Sequence, residues 1–368
     1  MHAGRGSESI REMERPMKWR AGDWVEVRSK EEILGTLDSR GRLEELPFMP
    51  EMFRYCGQRF RVYKRAHKTC DTVSRTGGRR LKDAVHLELR CDGEAHGGCQ
   101  AACLLFWKTA WLKPVDGPGE ASSGRDRSTD TPAPDSCTEE HVRVAASRND
   151  PAAEPGETVY VCQATELTRI TEYLPWWDMR QYLEDVTSGN VTVGRLFCGM
   201  VYACFWEVLE HSGNALGGAL VRFYDRYHRL WGGLPFPRKM GTIPADRGTP
   251  TIALNLQPGE LVRVRTHEEI LSTLNTEGKN RGLSFDGEQV PFCGGVYRVR
   301  SRVSTFIDES TGRMKSMKND AVILEGVWCQ ARYSDCRMMC PRSIYSWWRE
   351  IWLERVSEGG GDVKAPPR

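Results

Sequence analysis

Eight of the thirteen cysteines fall into two sets of four with nearly the same spacing. Cys91, Cys99 and Cys103 follow the pattern C-x7-C-x3-C, with Cys56 upstream. Cys329, Cys336 and Cys340 follow C-x6-C-x3-C, with Cys293 upstream. Four thiolates are what a tetrahedral zinc ion or a 4Fe-4S cluster takes from a protein. Gly93, Gly97 and Gly98 allow the first loop to wrap tightly around such a centre. Cysteine is also a good small core residue and a disulfide former. Three of them in a polar, glycine-rich loop make a poor core, however. The spacing therefore predicts two four-cysteine metal sites, one per set. Structural zinc sites usually contain a tight C-x2-C knuckle, which neither set has, so spacing favours an iron–sulfur cluster and leaves zinc open.

Other residues could do chemistry on their own. His67 and Cys70 are candidates for a histidine-activated thiol, but on a strand they face opposite ways, and only a turn would bring them together. Cys162 could supply a further ligand or thiol, with packing as the plainer expectation. Cys198 and Cys204 lie in an apolar stretch and read as core, and Cys137 as incidental. His86 and His96 are candidates for partners behind a metal ligand, or ordinary core histidines. From Arg54 to Lys82 there are ten Lys and Arg against one Asp, with aromatics interleaved. That suits phosphate or nucleic-acid contact, or else a solvated hairpin face. Trp176-Trp177-Asp178 and Tyr224 to His228 suggest a ligand pocket or an apolar interface.

The elements that must position these residues occur twice. Gly22-Asp23-Trp24-Val25-Glu26-Val27-Arg28 matches Gly259-Glu260-Leu261-Val262-Arg263-Val264-Arg265, and Glu31-Glu32-Ile33-Leu34 matches Glu268-Glu269-Ile270-Leu271. The register runs from Gly22 to Arg90 at a constant offset of 237, as in Gly22 against Gly259. Val25 and Val27 alternate with polar neighbours, the period of a half-buried strand. Ser29 with Glu32, and Thr266 with Glu269, fit capping boxes at the start of short helices. Those helices should bury Ile33, Leu34 and Leu37 in one copy and Ile270, Leu271 and Leu274 in the other. The expected fold class is α+β, with two small SH3-like β-barrel modules flanking a helical segment.

Composition divides the chain further. Residues 1–17 read as a tail, 18–116 as the first module and 117–157 as a disordered linker rich in Pro, Ser, Gly, Asp and Glu. Residues 158–248 form a middle segment of helical periodicity, 249–358 the second module and 359–368 a final tail. Charged residues make up 28% and the net charge is +2, so any nucleic-acid binding must come from a local patch. The run Leu196 to Trp206 falls short of the about 20 apolar residues that cross a bilayer, so no membrane partner is expected. Many cysteines without an apolar leader suggest a reducing compartment, the cytoplasm.

The opening Gly22-Asp23-Trp24-Val25-Glu26-Val27 resembles the start of SH3-like barrels such as those of nitrile hydratase beta subunits. Cys91-Asp92-Gly93-Glu94-Ala95-His96 is similar to the Cys-Asp-Gly-Ser-His stretch of small iron–sulfur proteins. It has one extra residue before the histidine and lacks the preceding C-x-C. Three longer stretches extend the likeness: Leu46-Pro47-Phe48-Met49-Pro50-Glu51-Met52, Cys56-Gly57-Gln58-Arg59-Phe60-Arg61-Val62 and Lys64-Arg65-Ala66-His67-Lys68-Thr69-Cys70-Asp71. Through these the chain resembles an uncharacterised bacterial family of cysteine-rich proteins with a duplicated SH3-like module. That resemblance implies kinship without an activity. Two functions fit the residues. One is a cytosolic metalloprotein acting as an enzyme component or redox partner in a biosynthetic pathway, on a small-molecule substrate or with a protein partner. The other is a non-enzymatic protein- or nucleic-acid-docking module with structural zinc.

Overall fold

Paired stretches of sequence adopt paired local structure. In this computed structural model, which describes residues 18–74, 77–119, 137–151, 154–230, 233–333 and 337–356, strand Trp24–Val27 and helix Lys30–Leu34 are matched by strand Leu261–Val264 and helix His267–Leu271. The 3-10 turn Pro50–Tyr55 is matched by Gly287–Phe292. Both helices start as their residues dictate. Ser29 Oγ accepts from the Glu32 amide at 3.2 Å while the Ser29 amide donates to the Glu32 carboxylate at 2.8 Å. Thr266 and Glu269 repeat this at 3.3 and 2.8 Å. Such a cap contributes about 1 kcal/mol to a helix too short to persist alone.

Each helix then drops its apolar residues into its own core. Ile33 and Leu37 are buried with Phe48, Met52, Trp107 and Trp111; Ile270 and Leu274 are buried with Phe292, Trp348 and Trp352. The tryptophans are fixed alike at their polar ends. Trp111 Nε1 donates to Thr36 Oγ1 at 3.1 Å, and Trp352 Nε1 donates to Thr273 Oγ1 at 3.0 Å.

The strands do not close into the expected SH3-like barrels. Strand Trp24–Val27 is the centre of a three-stranded antiparallel sheet between Arg59–Arg61 and Leu112–Pro114. Lys64–Arg65, Ala84–His86 and Trp107–Lys108 form a separate sheet. Lys68–Cys70 pairs with Gly78–Arg80, whose other edge takes Glu172–Leu174 from the middle segment. Strands of two to four residues cannot curl far enough to meet edge to edge, and closure demands matched tilt and stagger. The second copy has a longer hairpin, Val296–Ile307 with Met314–Trp328, in an open five-stranded sheet ending in Tyr345–Trp348 and Leu353–Arg355. The described residues are thus α+β, built from small open antiparallel sheets, and contain no closed barrel.

Between the copies, helices Arg180–Thr187, Val193–Glu210 and Asn214–Leu230 carry the expected helical periodicity, alongside the short strands Val159–Tyr160 and Glu172–Leu174. The stretch read as linker contains helix Glu139–Val144, whose Val142 packs with Cys137 into the first core; residues 120–136 lie outside the described part. Cys198 and Cys204 are exposed instead of buried. The helix that carries them presents only its Gly199 and Tyr202 face inward, leaving Phe197, Val201 and Val208 in solvent.

The two copies lean on each other reciprocally. Gln100 of the first accepts from the Ser304 and Thr305 amides of the second at 2.7 and 3.1 Å. In return, Lys68 Nζ of the first donates to the Met338 carbonyl of the second at 2.9 Å.

Candidate metal centre

The loop after Cys91 closes because of one residue. Gly93 has φ +78°, and a Cβ there would lie 2.1 Å from the Cys99 carbonyl oxygen. Only glycine allows this self-crossing. The Gly93 carbonyl accepts from His96 and Gly98, both at 2.9 Å, and the Cys91 amide donates to the Cys103 carbonyl at 2.9 Å. The result places Cys91, Cys99 and Cys103 on the wall of one cavity, with Met49, Leu105, Phe106 and Ile307 as apolar lining.

Cys162, from beyond the linker, lines the same cavity. Its neighbours in sequence hold it there. His96 Nε2 donates to the Val161 carbonyl at 3.1 Å. The Gln163 side chain forms a fork, donating to Pro47 and Phe106 carbonyls at 3.1 and 2.9 Å and accepting from the Phe106 amide at 2.8 Å. Burial pushes the Cys162 thiol up to about 11 and that of Cys103 up to about 12. Cys91 is raised further, by burial and then by the Glu51 carboxylate. Buried thiols of this kind ionise only beside a compensating cation.

Among the described residues, Glu51, Cys91 and His96 are the one group of three or more histidine, cysteine or carboxylate side chains whose ligand atoms all lie within 4.8 Å of one another. His96 Nε2 is used on Val161, so Nδ1 is the ring nitrogen that faces Glu51, 4.0 Å from Oε2, with no hydrogen-bond partner among the described residues. Glu51 has a counterpart. Glu288 stands at the same repeat position, is buried, and accepts from the Gln330 and Tyr333 amides beside Cys329 at 3.2 and 2.6 Å.

A second thiol group lies between the copies. Cys70 and Cys340 are buried together with Ala331, against Cys329 and Ile344. The Cys70 amide donates to Cys340 Sγ at 3.1 Å. A hydrogen bond from the Cys70 thiol lowers Cys340 to about 7, while Cys70 and Cys329 are raised. Two flanking residues fasten Cys70 to the loop of Cys340: Lys68 through the Met338 carbonyl, and Thr72 by accepting from the Arg342 guanidinium at 2.7 Å. Arg342 also lines the first cavity. Burial opposes its charge, but Glu309 and the thiols of Cys70, Cys103 and Cys340 outweigh that and raise it above its ordinary value.

Of the expected ligands, Cys91, Cys99 and Cys103 line one cavity and Cys329 packs against Cys340; Cys336 lies outside the described residues. Cys56 and Cys293 are elsewhere. They occupy the C-cap positions of the two 3-10 turns with nearly identical backbone angles. The charges around Cys56 are Lys30, Glu31 and Glu139, and Cys293 Sγ lies 3.9 Å from the Gln289 carbonyl. They recur because the turn recurs.

His67 and Cys70 diverge across their strand. His67 Nε2 lies 3.2 Å from Asp185 Oδ1, and Cys70 faces Cys340. The cations between Arg54 and Lys82 are mostly taken up internally. Arg54 pairs with Asp92, Arg59 with Glu26 at 3.0 Å, Lys68 with Asp185 at 2.5 Å, Arg80 with Glu184 at 3.3 Å and Lys82 with Glu172 at 2.7 Å. Trp177 and Asp178 line an open cleft with Arg80, Tyr173 and Arg180, away from the cysteines.

Sequence reasoning did not foresee Cys70 packed against Cys340, and it passed over Glu51, Glu288 and Arg342. The recurrence of a glutamate at one repeat position was a usable signal. In comparisons with known proteins, the chain matches no family model and no curated protein is a recognisable relative.

Proposed function

We propose that this chain is a metalloprotein in which each copy of the repeat contributes cysteines to one site for a thiophilic metal, an iron–sulfur cluster or zinc. It serves as an enzyme component or redox partner in a biosynthetic pathway of the cytoplasm. The presence of Cys91, Cys99 and Cys103 along the wall of one largely apolar cavity supports this reading. Free thiols at all the described cysteines suit a reducing compartment, and no helix among the described residues is long and apolar enough to cross a membrane. Oxygen-free purification followed by iron, sulfide and zinc analysis tests it. Iron with equimolar sulfide, and colour bleached by dithionite, supports the redox role. A properly folded chain with neither metal overturns the reading.

A second reading has its own observation. Glu51, Cys91 and His96 form a mixed-ligand group, the kind of set that zinc accepts. Colourless protein with stoichiometric zinc that is lost in His96→Asn would favour a structural role in a docking module. The internal pairing of the cations between Arg54 and Lys82 makes a protein the better partner in that case.

A further inference from the structure

We infer that each metal site takes a thiol from outside the repeated set: Cys162 joins Cys91, Cys99 and Cys103 in one, and Cys70 joins Cys329 and Cys340 in the other. This rests on the metalloprotein reading and changes its ligand sets. The second centre becomes a joint between the two copies, because Cys70 belongs to the first and Cys329 and Cys340 to the second.

Three observations converge. Cys162 lines the cavity of the first set, and its flanking residues are bonded to His96 and Phe106, on either side of Cys99 and Cys103 in sequence. Cys70 is buried against Cys340, held by Lys68 and Thr72 on both sides. The repeat explains why the two sites recruit differently. At the constant offset, position 70 of the first copy is position 307 of the second. There the Ile307 amide donates to Cys99 Sγ at 3.4 Å, as the Cys70 amide does to Cys340 Sγ at 3.1 Å. Each copy therefore lays the same strand position against the other's cysteine loop. The first copy offers a thiol there and the second an isoleucine, so the first site must find its fourth sulfur elsewhere, and Cys162 is the thiol at hand. A thiophilic metal suits both: the thiols are buried, and the cation supplies the compensation that lets them ionise.

The test is metal content per chain in full-length protein purified without oxygen, for Cys162→Ser, Cys70→Ser, Cys56→Ser and Cys293→Ser. Loss of about half the metal in each of the first two, with none in the last two, is the expected result. Retention in Cys162→Ser and Cys70→Ser with loss in Cys56→Ser and Cys293→Ser overturns the assignment. A variant that does not fold leaves a measurement on the unaltered chain. Alkylation mapped by mass spectrometry before and after chelation must show Cys162 and Cys70 becoming more reactive as metal leaves, with Cys56 and Cys293 unchanged; the reverse pattern overturns the assignment. A folded wild-type chain without metal instead removes the underlying metalloprotein reading, an outcome distinct from metal held by other thiols.

Discussion

Cys70 and Ile307 are the same position of the repeat, and each gives its backbone amide to a cysteine sulfur of the opposite copy. One carries a thiol and the other does not, and they reach different cysteines of their loops, Cys340 and Cys99. Ile307→Cys in a Cys162→Ser background should therefore restore the metal that Cys162→Ser loses, since Ile307 lines the same cavity. Elemental analysis of the single and double variants checks this. Equal depletion in both would mean that the cavity does not hold the metal.

Gly93 should be as necessary as any ligand. A methyl group there meets the Cys99 carbonyl and amide, and φ +78° disfavours a side chain on its own account, by an amount on the order of 1–3 kcal/mol. Gly93→Ala is expected to lower first-site metal to the level of Cys162→Ser while sparing the second site. Unchanged metal would show that the loop closes by another route.

Lys68 and Asp185 form a fully buried ion pair at 2.5 Å, with Lys68 also on Gln181 and the Met338 carbonyl. Removing one partner leaves a charge with no water to solvate it. Lys68→Met should cost about 3–5 kcal/mol of stability, read from urea denaturation. Lys68→Met with Asp185→Leu should recover part of that loss, because no isolated charge remains.

His86 gives a pH signature. Burial lowers it to about 3, against the opposing pull of its hydrogen bond to the Leu105 carbonyl at 2.9 Å. Between about pH 6.5 and 3 the unfolded chain binds a proton there that the folded chain refuses, so stability falls as the pH drops through that window. His86→Phe should flatten this part of the acid limb in chemical denaturation at stepped pH. An unaltered slope would assign the acid sensitivity to other groups.

What could be read from the residues was local or repeated. Ser29 with Glu32 and Thr266 with Glu269 announced their helices, since a cap is settled within four residues. Cys91, Cys99 and Cys103 announced a shared loop for the same reason. Cys56 and Cys293 recur at the C-caps of the same turn, so their recurrence has a structural cause of its own. The repeat was silent on Cys70 and Cys162, whose partners are set by packing between distant segments. The barrels failed similarly. The alternation of Val25 and Val27 specifies a strand, but not that Gly78–Arg80 would take its second neighbour from Glu172–Leu174.

Cys70 and Cys340 meet across 270 residues of chain, and contacts so remote form late because a long loop must first be closed. During synthesis the first copy emerges with its half of this contact waiting, and Cys70 stays without Cys340 until the second copy has followed it.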